Sequence, residues 1–205
     1  MDFKQSYLTI GKGLPVEIKE KGSKFIGMAA RCETEDQVKE TLEAWWGENP
    51  QATHICYAYR IGVDGELYRA NDDGEPNNSA GAPILGQITS FELTNVLVGV
   101  VRYYGGTKLG VGGLISAYKA AAKAVLEGAE KITVELRENL KIEFNYQDMP
   151  HIMAVLKRNR MEIGDLNLEE NCSLDIRLST EDNKEDIKAL LAMYGSVKIK
   201  YLGIY

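Results

Sequence analysis

The run Asn95-Val96-Leu97-Val98-Gly99-Val100-Val101-Arg102 constrains this chain more than any other stretch. It is apolar at odd and even positions alike, so an extended strand here presents apolar side chains to both faces of a sheet. Such a strand needs a layer packed on either side of it. The apolar core of the run, Val96 to Val101, is far short of the ~20 residues that a membrane helix requires, so no membrane association is expected. A glycine-rich segment, Gly105 to Gly113, leads from this strand into a helix read from Leu114 to Glu127. Ala117, Ala120, Ala121, Ala122 and Ala124 let that helix approach a sheet closely, and Gly128 suits its C-terminal cap.

Earlier elements read in the same way. Residues 12–31 form two short strands about a tight turn at Glu20-Lys21-Gly22. Thr34 to Glu48 is a helix, with Thr34 as N-cap, acids in the first turn, and Val38, Leu42 and Trp45 at helical spacing. Gly47 and Pro50 end it. Thr53 to Ala70 is a hairpin about Asp64-Gly65. A loop from Asn71 to Gly81 and a short helix near Pro83 to Phe91 follow. After Gly128 the pattern changes. Leu140, Ile142, Phe144 and Tyr146 alternate as a strand, and Asp148 caps a helix to about Arg158. Two strands follow, the second marked by Cys172, Leu174, Ile176 and Leu178. A second helix is capped at Ser179 or Thr180, carries Ile187, Leu190 and Leu191, and stops at Gly195. Val197, Ile199 and Tyr201 close as a strand. This is β-α-β-β-α-β, the ferredoxin-like order. The chain therefore reads as α+β in two domains, residues 1–133 and 134–205.

Composition limits what such a chain does. It has 205 residues and a net charge of −6, and each of the two segments carries −3. Neither is a basic module, so any nucleic-acid contact comes from a local patch. Cys32, Cys56 and Cys172 are odd in number, far apart and form no CxxC pair, which argues against a disulfide framework and against a thiolate zinc site. A reducing compartment fits, and a cytoplasmic location is expected. The N-terminus lacks a basic stretch followed by an apolar one, so no secretory signal is expected.

Three clusters carry candidate chemistry. With Asp64-Gly65 as a two-residue loop, Ile61 faces Tyr68 and Tyr59 faces Ala70, while Arg60 pairs with Arg69 on the other face. Continued, that register brings His54 toward Glu75. Opposed arginines repel unless something negative lies between them. They either fan apart into solvent or hold an anion, from Asp72, Asp73 and Glu75 or from a bound phosphate. Those three carboxylates, within four residues, are either a solvated acidic turn or a seat for Mg²⁺ or Ca²⁺. His54 and Cys56 share one strand face. With only one further histidine, His151, they make no transition-metal site. The third cluster is Arg102-Tyr103-Tyr104-Gly105-Gly106-Thr107-Lys108-Leu109-Gly110-Val111-Gly112-Gly113. It lacks the Lys-Ser/Thr of a Walker loop and the order of a dinucleotide fingerprint. Two uses stand: anion binding at the following helix start, or close helix–sheet packing.

These motifs occur in a recognisable order. His54-Ile55-Cys56-Tyr57-Ala58-Tyr59-Arg60 is followed by Asp72-Asp73-Gly74-Glu75-Pro76 with Ala80-Gly81. Arg102-Tyr103-Tyr104-Gly105-Gly106 then runs on through Leu109-Gly110-Val111-Gly112-Gly113-Leu114 to Ala117-Tyr118, and Lys21-Gly22-Ser23-Lys24-Phe25 fits the same pattern near the start. In this the chain resembles the YigZ/IMPACT family. It departs at Asn77-Asn78-Ser79, where the family has Ser-Gly-Thr, and at Ser116, where the family has Arg. The second departure removes a cation from any anion site there. The resemblance implies a first domain like domain two of small-subunit ribosomal protein five and a second like elongation factor G domain V. Eukaryotic relatives regulate translation by competing for the activator of a starvation-responsive kinase, using an extra N-terminal module. This chain begins almost directly at the shared domain, so that activity is not carried over.

Three function classes follow. The leading one is a binding protein connected with translation, contacting RNA, a ribosomal surface or a translation-regulatory protein partner. Its site would comprise His54, Arg60, Arg69, Asp73, Arg102 and Lys108, and a continuous positive groove would mark it. The glycines Gly105, Gly106, Gly110, Gly112 and Gly113 would present backbone to the ligand. The alternative is an enzyme acting on a phosphorylated small molecule, with Asp72, Asp73 and Glu75 holding Mg²⁺. Converging carboxylates in an enclosed pocket would mark that one. The third is a protein-interaction module without chemistry, marked by an exposed apolar patch.

Overall fold

The computed structural model describes residues 5–11, 13–169, 172–179, 184–194 and 196–204. Their contacts divide the chain into two units, one running from Ser6 to Val134 and the other from Glu135 onward together with Gln5.

The larger unit is built on a five-stranded antiparallel sheet of β2 (Val16–Glu20), β3 (Ser23–Arg31), β4 (His54–Ile61), β5 (Leu67–Asn71) and β6 (Val96–Tyr103). Its order is β2-β3-β6-β4-β5, which puts the doubly apolar strand in the centre. Every residue from Val96 to Arg102 is buried. β1 (Ser6–Ile10) and β7 (Lys131–Glu135) make a separate two-stranded sheet. One face of the large sheet carries α1 (Glu35–Glu48), where Val38 and Trp45 pack against Ile55, Tyr59, Leu97 and Val101. The other face carries α2 (Gly81–Ser90) and α3 (Gly110–Gly128), packed on Phe25, Cys56, Val98 and Val100.

Close approach decides two of these contacts. A Cβ at Gly99 would lie 2.5 Å from the Trp45 ring, so the indole rests on bare backbone. A Cβ at Gly27 would lie 2.4 Å from the Ala121 carbonyl oxygen, so the alanine-rich face of α3 sits directly on β3. Local signals act as their chemistry requires. Thr34 Oγ1 accepts from the Gln37 amide at the start of α1. The β2–β3 turn uses Lys21 and Gly22, both at positive φ (46° and 82°), the pattern that matches strand twist in a two-residue hairpin.

The smaller unit contains β8 (Arg137–Phe144), α4 (Met149–Arg158), β9 (Glu162–Asn167), β10 (Cys172–Ser179), α5 (Lys184–Ala192) and β11 (Lys198–Ile204). The sheet is antiparallel with order β11-β8-β10-β9. Leu140, Ile142, Leu174 and Ile176 face Ile152, Leu156, Ile187 and Leu191 to form its core. Tyr146 is not in the strand, as its alternation suggested. β8 ends at Phe144, and Tyr146 begins a single 3-10 turn with its side chain 67% exposed. Asp148 stands at the N-cap of α4 without bonding the helix, because its carboxylate accepts from the Ser196 hydroxyl. Ser179, one of the two residues expected to cap α5, is instead the last residue of β10, paired with Arg137, while Thr180 and Gly195 lie outside the described residues. Among the described residues no helix is long and apolar enough to cross a membrane.

Candidate functional site: a cleft at the end of the central strand

The hairpin register differs from the sequence expectation by one residue. Tyr59 pairs with Arg69 and Arg60 with Tyr68. The reason lies in the loop. Five residues, 62–66, separate β4 from β5, and the Gly65 amide donates to the Gly62 carbonyl, so the turn centres on Val63-Asp64. The one-residue change sends Arg60 and Arg69 to opposite faces of the sheet. Arg60 donates to the carbonyls of Leu93 and Asp64, near the hairpin tip. It pairs with Val96, at the opposite end of β6 from Arg102. The continuous positive groove through Arg60, Arg69, Arg102 and Lys108 is therefore not formed.

The acidic loop divides its carboxylates among separate tasks. Asp72 accepts from the amides of Asn78, Ala80 and Gly81, which ties the loop to the start of α2. Asp73, at φ 45°, accepts from the Ile55 amide, and its carbonyl accepts from His54 Nδ1 at 2.6 Å. Glu75 turns inward. Its Oε1 accepts from Arg102 Nη1 at 2.5 Å and from the Tyr118 hydroxyl at 2.8 Å. The side chains of Arg102 and Glu75 are only 7% and 4% exposed. Two carboxylates are thus engaged by backbone amides and the third by a buried cation, so the three do not converge on a Mg²⁺ seat. Among the described residues no group of three or more His, Cys, Asp or Glu side chains is placed to hold a metal. His54 is a half-buried, hydrogen-bonded residue of this loop anchor.

Arg102 is the centre of the site. Its position in the sheet, opposite His54 on one side and Phe25 on the other, aims it at the face covered by α2 and α3. The guanidinium lies over the Phe25 ring (5.5 Å) and over the Tyr104 ring (5.4 Å). Phe25 in turn meets Tyr118 edge-on at 5.2 Å. Arg102 Nε is buried without a hydrogen-bond partner. Burial holds the Tyr118 hydroxyl well above the ordinary tyrosine range and pushes the neighbouring Cys56 thiol up to about 12.

The glycine-rich segment splits into two parts rather than forming one loop. Gly105 crosses the β2–β3 turn so closely that a Cβ would stand 1.9 Å from the Gly22 carbonyl carbon, and its amide donates to Ser23 Oγ. Gly106 follows at positive φ. Gly110, Gly112 and Gly113 belong to α3, which starts four residues before the expected Leu114. That first turn has no capping side chain and no acidic residue. Ser116, where the related motif has a cation, returns its hydroxyl to the Gly112 carbonyl at 3.0 Å.

Acidic loop and glycine segment meet in one cleft of about 430 Å³. Its polar lining is Glu75, Arg102, Lys108 and the backbone of Gly110, and its walls are Pro76, Tyr104, Leu109, Val111 and Leu114. Lys108 has no ion-pair partner among the described residues, whereas Arg102 is neutralised by Glu75. Of the residues singled out from the sequence, Glu75, Arg102, Lys108 and Gly110 line this cleft. Gly105 and Gly106 lie in the adjoining loop, Asp72, Asp73 and His54 anchor the acidic loop to β4 and α2 without lining the cleft, and Arg60 and Arg69 are elsewhere. Sequence reasoning passed over Tyr104 and Tyr118 as contributors. The signal for Tyr104 was its place directly after the buried strand, two residues on from Arg102 and hence on the same side.

The Impact N-terminal domain matches residues 21–126. The IMPACT family member YvyE of Bacillus subtilis (strain 168) is 34% identical over 173 residues, covering 83% of this chain and 78% of that protein. The IMPACT family member YigZ of Escherichia coli (strain K12) is 34% identical over 149 residues, covering 69% of this chain and 72% of that one. A solved structure described as a crystal structure of an hypothetical protein superposes with a TM-score of 0.77 at 28% identity, covering 98% of this chain and 99% of the other.

Proposed function

This chain belongs to the IMPACT family, and on that premise we propose that it is a translation-associated binding protein whose larger unit takes an anionic group of RNA or of a ribosomal surface into the Arg102–Lys108 cleft. One observation carries the reading. The uncapped, glycine-opened first turn of α3, the unpaired Lys108 and the buried Arg102 with its unpartnered Nε all border the same space. Helix-terminal amides and a lysine suit a phosphate. The ferredoxin-like reading of the smaller unit is supported by its strand order β11-β8-β10-β9, and it belongs to the same proposal. The enzyme alternative has lost its main support, because the carboxylates meant for Mg²⁺ bond backbone amides and Arg102.

Such a site reconciles a phosphate ligand with a net charge of −6. Binding rests on Lys108, which has no ion-pair partner among the described residues, and on a helix end, so it is weak and its salt dependence shallow, with a log–log slope of about −0.7 per phosphate neutralised on a single strand. The test is fluorescence anisotropy with labelled RNA oligomers over a salt series. Lys108→Ala is expected to weaken binding evenly across sequences and to reduce the slope by about 0.7. Arg60→Ala combined with Arg69→Ala serves as the control that leaves affinity intact. Unchanged affinity for Lys108→Ala at every salt concentration would overturn the reading.

A further inference from the structure

We propose that the cleft receives one unpaired nucleotide, with its base stacked on the open side of Tyr104. The inference rests on the RNA reading above and specifies what that site takes. The Arg102 guanidinium already lies over two aromatic rings, 5.5 Å from the Phe25 centroid and 5.4 Å from that of Tyr104. Of the two rings, Phe25 is fully buried and Tyr104 is 46% exposed, so Tyr104 is the one that leaves aromatic surface open to a ligand. A base stacked on the exposed part of the Tyr104 ring adds its own surface against the apolar walls of Pro76, Leu109 and Val111. The volume of about 430 Å³ lies in the range of sites for compact organic ligands and is too small for a duplex.

The polar groups match a nucleotide in order. Arg102 lines the cleft and its buried Nε–H has no partner among the described residues, so that donor is assigned to a ring carbonyl or ring nitrogen of the base, reached by a small turn of the guanidinium. Lys108 and Gly110, the first residue of α3, line the same cleft, and the phosphate of the same nucleotide would lie against them. Glu75 holds Nη1 of Arg102 and balances its charge, so Lys108 is the cation assigned to the phosphate. The cleft therefore offers aromatic and apolar surface suited to a base and, beside it, a cation and a helix start suited to its phosphate. Bases in a duplex keep both faces covered by their neighbours, so only single-stranded or bulged RNA presents one to Tyr104.

The experiment uses the full chain and a labelled single-stranded RNA 12-mer of mixed sequence, alone and annealed to its complement. Tyr104→Ala is expected to weaken single-strand binding by about 5- to 100-fold, the range of one lost base–aromatic stack, with the salt slope unchanged because no phosphate contact is removed. Tyr104→Phe retains wild-type affinity. A strand carrying 2-aminopurine loses fluorescence on binding the wild type and Tyr104→Phe, and keeps it with Tyr104→Ala. The duplex binds more weakly and is indifferent to residue 104. Single-strand binding that responds to Lys108→Ala but not to Tyr104→Ala would overturn the base-stacking inference while leaving the RNA reading in place. Insensitivity to both substitutions would overturn both.

Discussion

Glu75→Gln is the substitution that tests the architecture of the site most severely. The carboxylate is 4% exposed and accepts from Arg102 Nη1 and from the Tyr118 hydroxyl. Glutamine keeps the volume and one acceptor oxygen but removes the charge. The guanidinium then stays buried beside the Phe25 and Tyr104 rings with no counter-charge, at a cost of about 3–5 kcal/mol. Both tryptophans of the chain, Trp45 and Trp46, lie on α1, so their emission during urea unfolding reports the larger unit alone. With a denaturant slope of ~2 kcal/mol/M, the midpoint falls by roughly 2 M. Replacing both partners, as Glu75→Leu with Arg102→Met, removes the stranded charge and is expected to recover most of that loss. A midpoint for Glu75→Gln within about a tenth of that expected displacement, or a double variant no better than the single one, would refute the argument that the pair is a closed internal unit.

Three further outcomes follow from the same geometry. Gly105→Ala places a Cβ 1.9 Å from the Gly22 carbonyl carbon, a backbone clash that no rotamer relieves, and is expected to lower stability by about 3 kcal/mol in urea titrations. Asp72→Ala strands the amides of Asn78, Ala80 and Gly81 and should cost about 2 kcal/mol, whereas Asp72→Asn, which keeps an oxygen for two of them, should cost about half as much by the same measurement. The Cys56 thiol holds its proton to about pH 12 in the native state and to near 9 when unfolded. The unfolded chain therefore binds fewer protons across that window, and stability contributed by Cys56 is complete below pH 9 and lost as pH rises toward 12. Cys56→Ser should flatten that alkaline decline, and the native wild type should react slowly with thiol reagents at pH 8.

Much of the scaffold was legible because it rests on local chemistry. The doubly apolar run 95–102 announced a central strand, Thr34 announced a helix start, and the alanines of α3 announced the close contact on Gly27. The hairpin register was not legible, since it turns on whether Asp64-Gly65 forms the middle or the end of the turn. That single residue decided where two arginines point. The roles of Asp72, Asp73 and Glu75 were hidden for a different reason. Their partners are amides at 55 and 78–81 and a guanidinium at 102, and no spacing rule connects these to an acidic turn. Gly110, Gly112 and Gly113 read as loop because glycine is a poor helix former. In the fold they begin a helix whose stability comes from the packing of Leu114, Ala117, Tyr118 and Ala121.

The central position of β6 also sets a schedule for biosynthesis. A ribosome delivers the β2–β3 and β4–β5 hairpins by residue 71, yet the two share no edge, because β6 lies between them. Until Val96–Tyr103 emerges, Ser23–Arg31 and His54–Ile61 each keep one side of their backbone unpaired. At 5–20 residues per second that interval lasts on the order of 1–5 s, long enough for a nascent chain to meet a neighbour on the same message. Isolated hairpins are marginal in water and open strand edges attract other chains. Slowing synthesis between residues 72 and 95 therefore raises the demand for holding chaperones, and speeding it there lowers that demand. Codon choice in this interval is a lever on soluble yield that leaves the amino-acid sequence untouched.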